Sequence, residues 1–419
     1  MVYNKIIKGN IGKILPYYIL RQKTIEKMNK KVCIIYLSYL KWDIRIRKQI
    51  VTLKKEGYDI AKVGIIDSVS VIEGVDSLPL SFSWSRMLSL LEMVCKGLQL
   101  VVGRIFECVY ERIYRNKYFE QIFQVLSDKK FDLYIANDLN SLPPAIELKK
   151  KNGGKVLFDA HEYSPLQFAN RWYWNFLIFP YRDYLCKKYL PQADYMITVC
   201  DSLADKYHKE YGVKSEVIRN IPFYCRVDFK KTNPSGIRMV HHGVTSSARR
   251  LENMIYLMRF LDSKFTLDFM LLNVDKSYIK KLKGLAKNVA PDRIRFKDTV
   301  PPHDIIKTLK NYDIGIYLLG AYNFNLKYAL PNKFFEFMMA GLCVVAGTSP
   351  EMGKIINQYN FGIFVDKIDY RETAKVINQL SKEEIDQMKM NSLSAAKELN
   401  GELEMKKFSE IVTNLLEKK

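Results

Sequence analysis

The stretch Leu330-Pro-Asn-Lys-Phe-Phe-Glu-Phe-Met-Met-Ala-Gly-Leu-Cys-Val-Val-Ala346 says most about how this chain folds. Pro331 suits a helix start, and Phe334, Phe335, Met338 and Met339 supply an apolar face. Gly341 then ends the helix and a buried strand follows. Lys333 and Glu336 stand three apart, so they share a face near the helix N-terminus. A helix N-terminus beside a lysine attracts phosphate, and a carboxylate one turn on can take two ribose hydroxyls. The alternative is a surface ion pair, but the apolar surroundings make an idle pair uncomfortable.

Working outward, the same alternation recurs on both sides. Upstream, Val32–Leu37, Ile60–Ile66, Phe131–Ala136, Lys155–Phe158 and Tyr195–Val199 read as short buried strands. A helix from about Asp43 to Glu56, stopped by Gly57, separates the first two. A second series runs through Arg238–His241, Thr266–Leu272, Arg293–Phe296, Asp313–Leu319 and Leu342–Ala346. Apolar strands alternating with helices call for parallel sheets covered on both faces. The Pro-, Gly- and Asn-bearing segment from Asn220 to Gly236 suits a hinge. The expected architecture is α/β, with two Rossmann-like doubly wound domains facing each other across a cleft. Ligands in such sheets bind at the carboxyl ends of the strands. The division is a basic segment 1–30, an acceptor domain 31–222, a nucleotide-sugar domain 223–399, and a helix 400–419 that returns to the first domain.

With 419 residues, two cores are the natural expectation. Seven scattered cysteines, none spaced C-x-x-C, argue against a disulfide framework or a structural zinc and for a reducing compartment. No run is long and apolar enough to span a membrane. Net charge is +21, from 66 basic and 45 acidic residues, and Met1–Lys31 alone holds eight Lys/Arg against one Glu. Nucleic acid, an anionic membrane surface or phosphorylated small molecules would each account for it. The basic start reads either as a solvated tail or as a membrane contact. Two segments share that ambiguity: the helical stretch Arg86–Tyr114 and the aromatic-basic stretch Phe168–Tyr189 fit either a core or a membrane interface.

The block around Lys333 and Glu336 resembles the nucleotide-sugar motif of the family-4 retaining glycosyltransferases, which have the glycosyltransferase-B fold. There the carboxylate matching Glu336 grips the donor ribose. Asp313–Tyr317 and Phe361–Val365 are similar to the flanking strands, and Arg293–Pro301 to the strand and loop before them. His242-Gly243 followed by Arg249-Arg-Leu-Glu252 resembles the family's first strand–turn–helix of the donor domain. Two departures stand out. Tyr328 occupies the place of an earlier glutamate that meets the donor sugar, and Gly243-Val244 replaces a Gly-Arg, so Arg249 and Lys333 are left to meet the diphosphate.

In the first half, Asp159-Ala-His161-Glu162 ends a strand and should point into the cleft. The resemblance gives His161 contact with the donor sugar at the reaction centre. Glu162 either orients that loop or binds acceptor, and Asp138 either meets the acceptor or caps the helix near Ser141. Asp43 and Arg45 match an Asp-x-Arg pattern at the acceptor side. No G-x-G-x-x-G is present, which argues against a nicotinamide or flavin enzyme. No Asp-x-Asp stands in the donor loop, so no metal is implied.

The expected activity is transfer of a sugar, with retention, from a UDP- or GDP-type donor to a saccharide, lipid-linked acceptor in cell-surface polysaccharide synthesis. No cofactor and no nucleic-acid partner are expected, and the placement is cytoplasmic, peripheral to the membrane. A sugar-nucleotide 2-epimerase of the same fold and a non-enzymatic basic binding protein are the other readings.

Overall fold

The computed structural model describes residues 30–40, 43–65, 72–80, 90–115, 117–233 and 235–417. The basic start of the chain, save Lys30 and Lys31, lies outside the described residues, as do Ile66, Arg86 and Met87. The first half builds a seven-stranded sheet from β1 (Lys31–Tyr39), β2 (Asp59–Ile65), β3 (Asp76–Leu80), β4 (Leu133–Asn137), β5 (Lys155–Ala160), β6 (Tyr195–Thr198) and β7 (Glu216–Val217). Their order is β3-β2-β1-β4-β5-β6-β7, and every pairing is parallel. Helices α1 (Ile44–Lys55), α2 (Leu90–Val102), α3 (Glu107–Tyr114), α4 (Phe179–Tyr189) and α5 (Asp201–Tyr211) are among those around it.

The second half repeats the plan with β8 (Ile237–Val244), β9 (Phe265–Leu272), β10 (Ile294–Lys297), β11 (Ile314–Tyr317), β12 (Cys343–Gly347) and β13 (Gly362–Val365). The order is β10-β9-β8-β11-β12-β13, again all parallel. Its helices include α6 (Asn332–Met339) and α7 (Pro350–Tyr359). The expected α/β architecture of two doubly wound sheets is the one observed.

The central strands are apolar throughout because helices cover both faces. Val32 to Ile35, Leu133 to Ala136 and Cys343 to Ala346 are all fully buried. The last helix, α8 (Gly401–Glu417), returns to the first sheet: Met405, Phe408, Ile411, Val412 and Leu415 share a core with Val32, Ile46, Ile50 and Leu53. Gly401 N donates to Pro222 O at 2.8 Å where it sets out.

Two segments differ from the sequence reading. The stretch ending at Tyr114 is two helices, not one, with the break at Gly103. A Cβ there would lie 2.1 Å from the Tyr110 ring, which folds back over the turn. Phe168–Tyr189 carries a π-helical turn, Trp174–Ile178, ahead of α4. Among the described residues, no helix is long and apolar enough to cross a membrane.

Candidate functional site

The carboxyl ends of both sheets open into one cleft of about 860 Å³. From the first domain it is lined by Arg45, His161, Glu162, Gln167 and Arg171, and from the second by Ser247, Arg249, Arg250, Tyr317, Tyr322 and Tyr328.

The first wall is built on Asp159, the last carboxylate of β5, which is fully buried. A buried carboxylate needs a partner that satisfies both oxygens. Arg45 supplies it, donating from Nε to Oδ2 at 2.6 Å and from Nη2 to Oδ1 at 2.7 Å, with Gln49 Nε2 adding a third bond at 2.5 Å. Burial pushes the Asp159 carboxyl up, yet Arg45 overrides it and holds the group well below the usual carboxylate range. Arg45 Nη1 donates to Ile218 O. Arg45, expected to bind acceptor, is therefore 2 % exposed and occupied in fixing Asp159. Asp43 is also spent internally: it caps α1 by accepting from Ile46 N at 3.2 Å and Ser38 Oγ at 2.8 Å.

His161 follows at the rim. Its Nε2 lies 3.3 Å from Asn137 Oδ1 and 3.6 Å from Asp159 Oδ2, and its Nδ1 is 3.6 Å from Asp138 Oδ2. Burial alone would lower this imidazole, but Asp138 and Asp159 outweigh it and lift the value to about 9. The ring is an imidazolium at neutral pH. Asp138 makes no side-chain cap to the following helix; its Oδ1 accepts from His161 N at 3.2 Å instead. Its backbone sits at φ 63°, ψ 161°, a region costly for a non-glycine residue and seen most at functional sites. Burial raises the Glu162 carboxyl, which accepts from Asn325 Nδ2 at 3.4 Å.

The second wall rests on Gly243 near the end of β8. Its φ of 120° is open to glycine, and a Cβ would lie 2.5 Å from Lys333 Nζ and 4.0 Å from an Arg249 nitrogen. The bare backbone is what lets the Lys333 ammonium come this close, with Arg249 alongside. Lys333 Nζ donates to His242 O at 2.7 Å. Burial, helped by Arg249 and opposed by Glu336, lowers Lys333 to about 7. Burial also raises Glu336 to about 7 against the pull of Lys333 and Lys48. Lys48 belongs to α1, so the field at Glu336 comes from both domains; its ammonium donates to Ile221 O at 2.7 Å. His242 Nε2 lies 3.3 Å from Glu336 Oε2 without hydrogen-bond geometry. Burial, with Lys333, holds that imidazole at about 3, so it is neutral.

Arg249, His161 and Glu162 thus line the cleft; Gly243 and Lys333 sit next to Arg249, Glu336 stands one turn along α6 from Lys333, and Asp138 lies against His161. Asp159, Arg250, Asn325 and Tyr322 were not singled out from sequence. Arg250 follows Arg249 at φ 45° with its guanidinium 4.4 Å from the Tyr322 ring centre. Asn325 clamps the domains, accepting from Tyr163 N at 2.8 Å and donating to Tyr163 O at 3.2 Å. Ser202 N adds a second bond between the domains, to Glu351 Oε1 at 3.1 Å. Among the described residues, no cluster of His, Cys, Asp and Glu is arranged to hold a metal.

Residues 263–410 match the family model described as glucosyltransferase 3-like, C-terminal domain, about a third of the chain. No curated protein matches the sequence. Among solved structures, HepE from Anabaena in complex with UDP is 13% identical with a TM-score of 0.64, over 92% of this chain and 100% of that one. Sucrose-phosphate synthase from Thermosynechococcus elongatus is 12% identical with a TM-score of 0.68, over 92% and 99%. An E. coli protein described as trehalose-6-phosphate bound with UDP-2-fluoro glucose is 12% identical with a TM-score of 0.63, over 93% and 99%. The chain has the glycosyltransferase-B fold along nearly its whole length.

Proposed function

We propose that this protein is a retaining glycosyltransferase that moves a sugar from a uridine-diphosphate sugar to a saccharide acceptor. The observation that carries the reading is the approach of Lys333 and Arg249 to the bare backbone of Gly243, with Glu336 one helical turn from Lys333, beside a cleft that Arg249 and His161 both line. Family-model similarity in the second domain and UDP-bound structures of the same fold support it.

In this reading Arg249 and Lys333 meet the diphosphate and Glu336 takes the ribose hydroxyls. The bond from the anomeric carbon to the β-phosphate oxygen breaks. The acceptor oxygen bonds to that carbon on the same face, and its proton passes to the departing diphosphate oxygen. Stabilising that departing charge is the main task of such a site. His161, as an imidazolium, is no general base; it serves as a hydrogen-bond donor to the sugar or the leaving oxygen. Asp138 and Glu162 face the acceptor. No step requires a metal. We assign the chain to family 4 on its motif, with a lipid-linked acceptor at an anionic membrane surface.

The test is a thermal-shift panel of nucleoside diphosphates and their sugars, with Glu336→Ala as control, followed by release of diphosphate with and without added saccharide. A shift with uridine nucleotides that is lost in the variant supports the reading. No shift with any nucleotide overturns it. Turnover of the sugar nucleotide without acceptor would instead indicate an epimerase.

A further inference from the structure

A second cavity, of about 730 Å³, opens beside the first domain's rim between α2, α3 and the π-helical turn. That size is typical of ligand pockets (roughly 300–1,000 Å³). Its walls are mostly hydrocarbon: Leu98, Leu100, Val102, Val109, Ile113 and Ile178. Lys96, Arg112 and Arg182 border it. None of these three forms an ion pair among the described residues. Arg182 donates to Ser164 Oγ at 2.8 Å and lies over the Trp174 ring. Of the acids on α3, Glu111 is already paired with Lys188 and Tyr184, and Glu107 is exposed.

On α2, on the α2–α3 turn and just ahead of the π-helical turn stand apolar side chains that no described residue covers. Ile105 is 76%, Phe106 58%, Leu98 61% and Trp172 76% exposed. Phe176 joins the turn to the π-helix through Arg104, stacked 4.4 Å from its ring centre. Large apolar side chains left exposed on adjoining elements mark an interaction site, and tryptophan beside Arg and Lys suits an anionic headgroup layer.

The cavity also borders the catalytic cleft. Trp174, in the cavity wall, packs edge-on at 4.9 Å against Phe168, which lines the cleft. We infer that this cavity takes the hydrocarbon chain of a lipid-phosphate-linked acceptor, with its phosphate at Arg112 and Arg182, while Ile105, Phe106 and Trp172 seat in the bilayer. The sugar end then reaches past Phe168 into the cleft. A protein partner would satisfy the patch but would leave the junction with the sugar cleft without a purpose. The inference rests on the glycosyltransferase reading and specifies its acceptor side.

The full chain is sedimented with vesicles of phosphatidylcholine, with and without phosphatidylglycerol, alongside the double variant Ile105→Glu, Phe106→Glu. Farnesyl phosphate is titrated into wild type and Val109→Trp, with inorganic phosphate as control. UDP-glucose thermal shifts are measured on every variant. Sedimentation with anionic vesicles, weakened about tenfold or more by the double variant, is expected. So is a farnesyl-phosphate shift that inorganic phosphate does not reproduce and Val109→Trp removes, with UDP-glucose shifts unchanged. No vesicle binding, an equal response to inorganic phosphate, or a wild-type dimer abolished by the double variant would each overturn the inference. Loss of the UDP-glucose shift in wild type alone would sink the enzymatic reading while leaving the lipid site standing.

Discussion

The substitution Glu336→Gln keeps a side chain's shape while removing a charge that its surroundings resist. Burial moves this carboxyl from an ordinary 4.5 to about 7, which corresponds to about 3 kcal/mol. The folded protein keeps the proton to a higher pH than the unfolded chain does. Stability therefore falls as pH rises from about 4.5 to about 7, and the loss persists above that. Glutamine removes the loss. Part of the gain is returned wherever Lys333 is charged, because the variant takes away the carboxylate that favours its ammonium. At pH 8 Lys333 is largely neutral, so little is returned there. The empty variant should be about 1–3 kcal/mol more stable than wild type at pH 8 and nearly equal to it at pH 5. Urea denaturation at the two pH values measures this, and a UDP-glucose thermal shift should vanish in the variant. A variant less stable than wild type at pH 8, or an equal difference at both pH values, would refute the argument.

Two further substitutions probe the walls. Gly243→Ala forces a side chain onto φ 120° and into Lys333, so it should cost about 1–3 kcal/mol and abolish the nucleotide shift; denaturation and the thermal-shift panel read both. Asp159→Ala leaves Arg45 buried without its anion and should cost about 3–5 kcal/mol, whereas Asp159→Asn should lower the His161 pKa from about 9, followed by NMR titration of its ring.

Much of the fold was legible because local signals agree with it. Asp43 caps α1 where the helix was expected to begin, and the uninterrupted apolar runs of β1, β4 and β12 are what a sheet covered on both faces requires. β3 escaped notice because it lies on the sheet edge, largely exposed, with Pro79 inside it, a residue only an edge strand tolerates. β7, two residues long, has no pattern to read. On the site, spacing alone puts Lys333 and Glu336 on one face of α6. Arg45 could not be placed, because its partner Asp159 lies 114 positions along the chain. A charged residue read in isolation looks like a ligand contact until its counter-ion is known. Asn325 shows the same limit: its clamp on Tyr163 depends on how two domains meet, which no local pattern encodes.

Lys333 and Glu336, both near 7, also fix the proton traffic of ligand binding. Below 7 the pair carries close to two protons, above 7 close to none. This count belongs to the pair and does not depend on which group holds a given proton. A bound sugar nucleotide wants an ammonium facing diphosphate and a carboxylate facing ribose, a state with one proton. Binding at pH 6 should therefore release roughly one proton, binding at pH 8 should take up roughly one, and the sign should reverse near 7. Titration calorimetry with UDP-glucose in two buffers of different ionisation enthalpy measures the exchange directly, and the sugar-capped diphosphate contributes no proton of its own in this range. Exchange of one sign across pH 6–8 would show that the ligand does not engage both groups. A null result at every pH, with binding intact, would place the nucleotide elsewhere in the cleft.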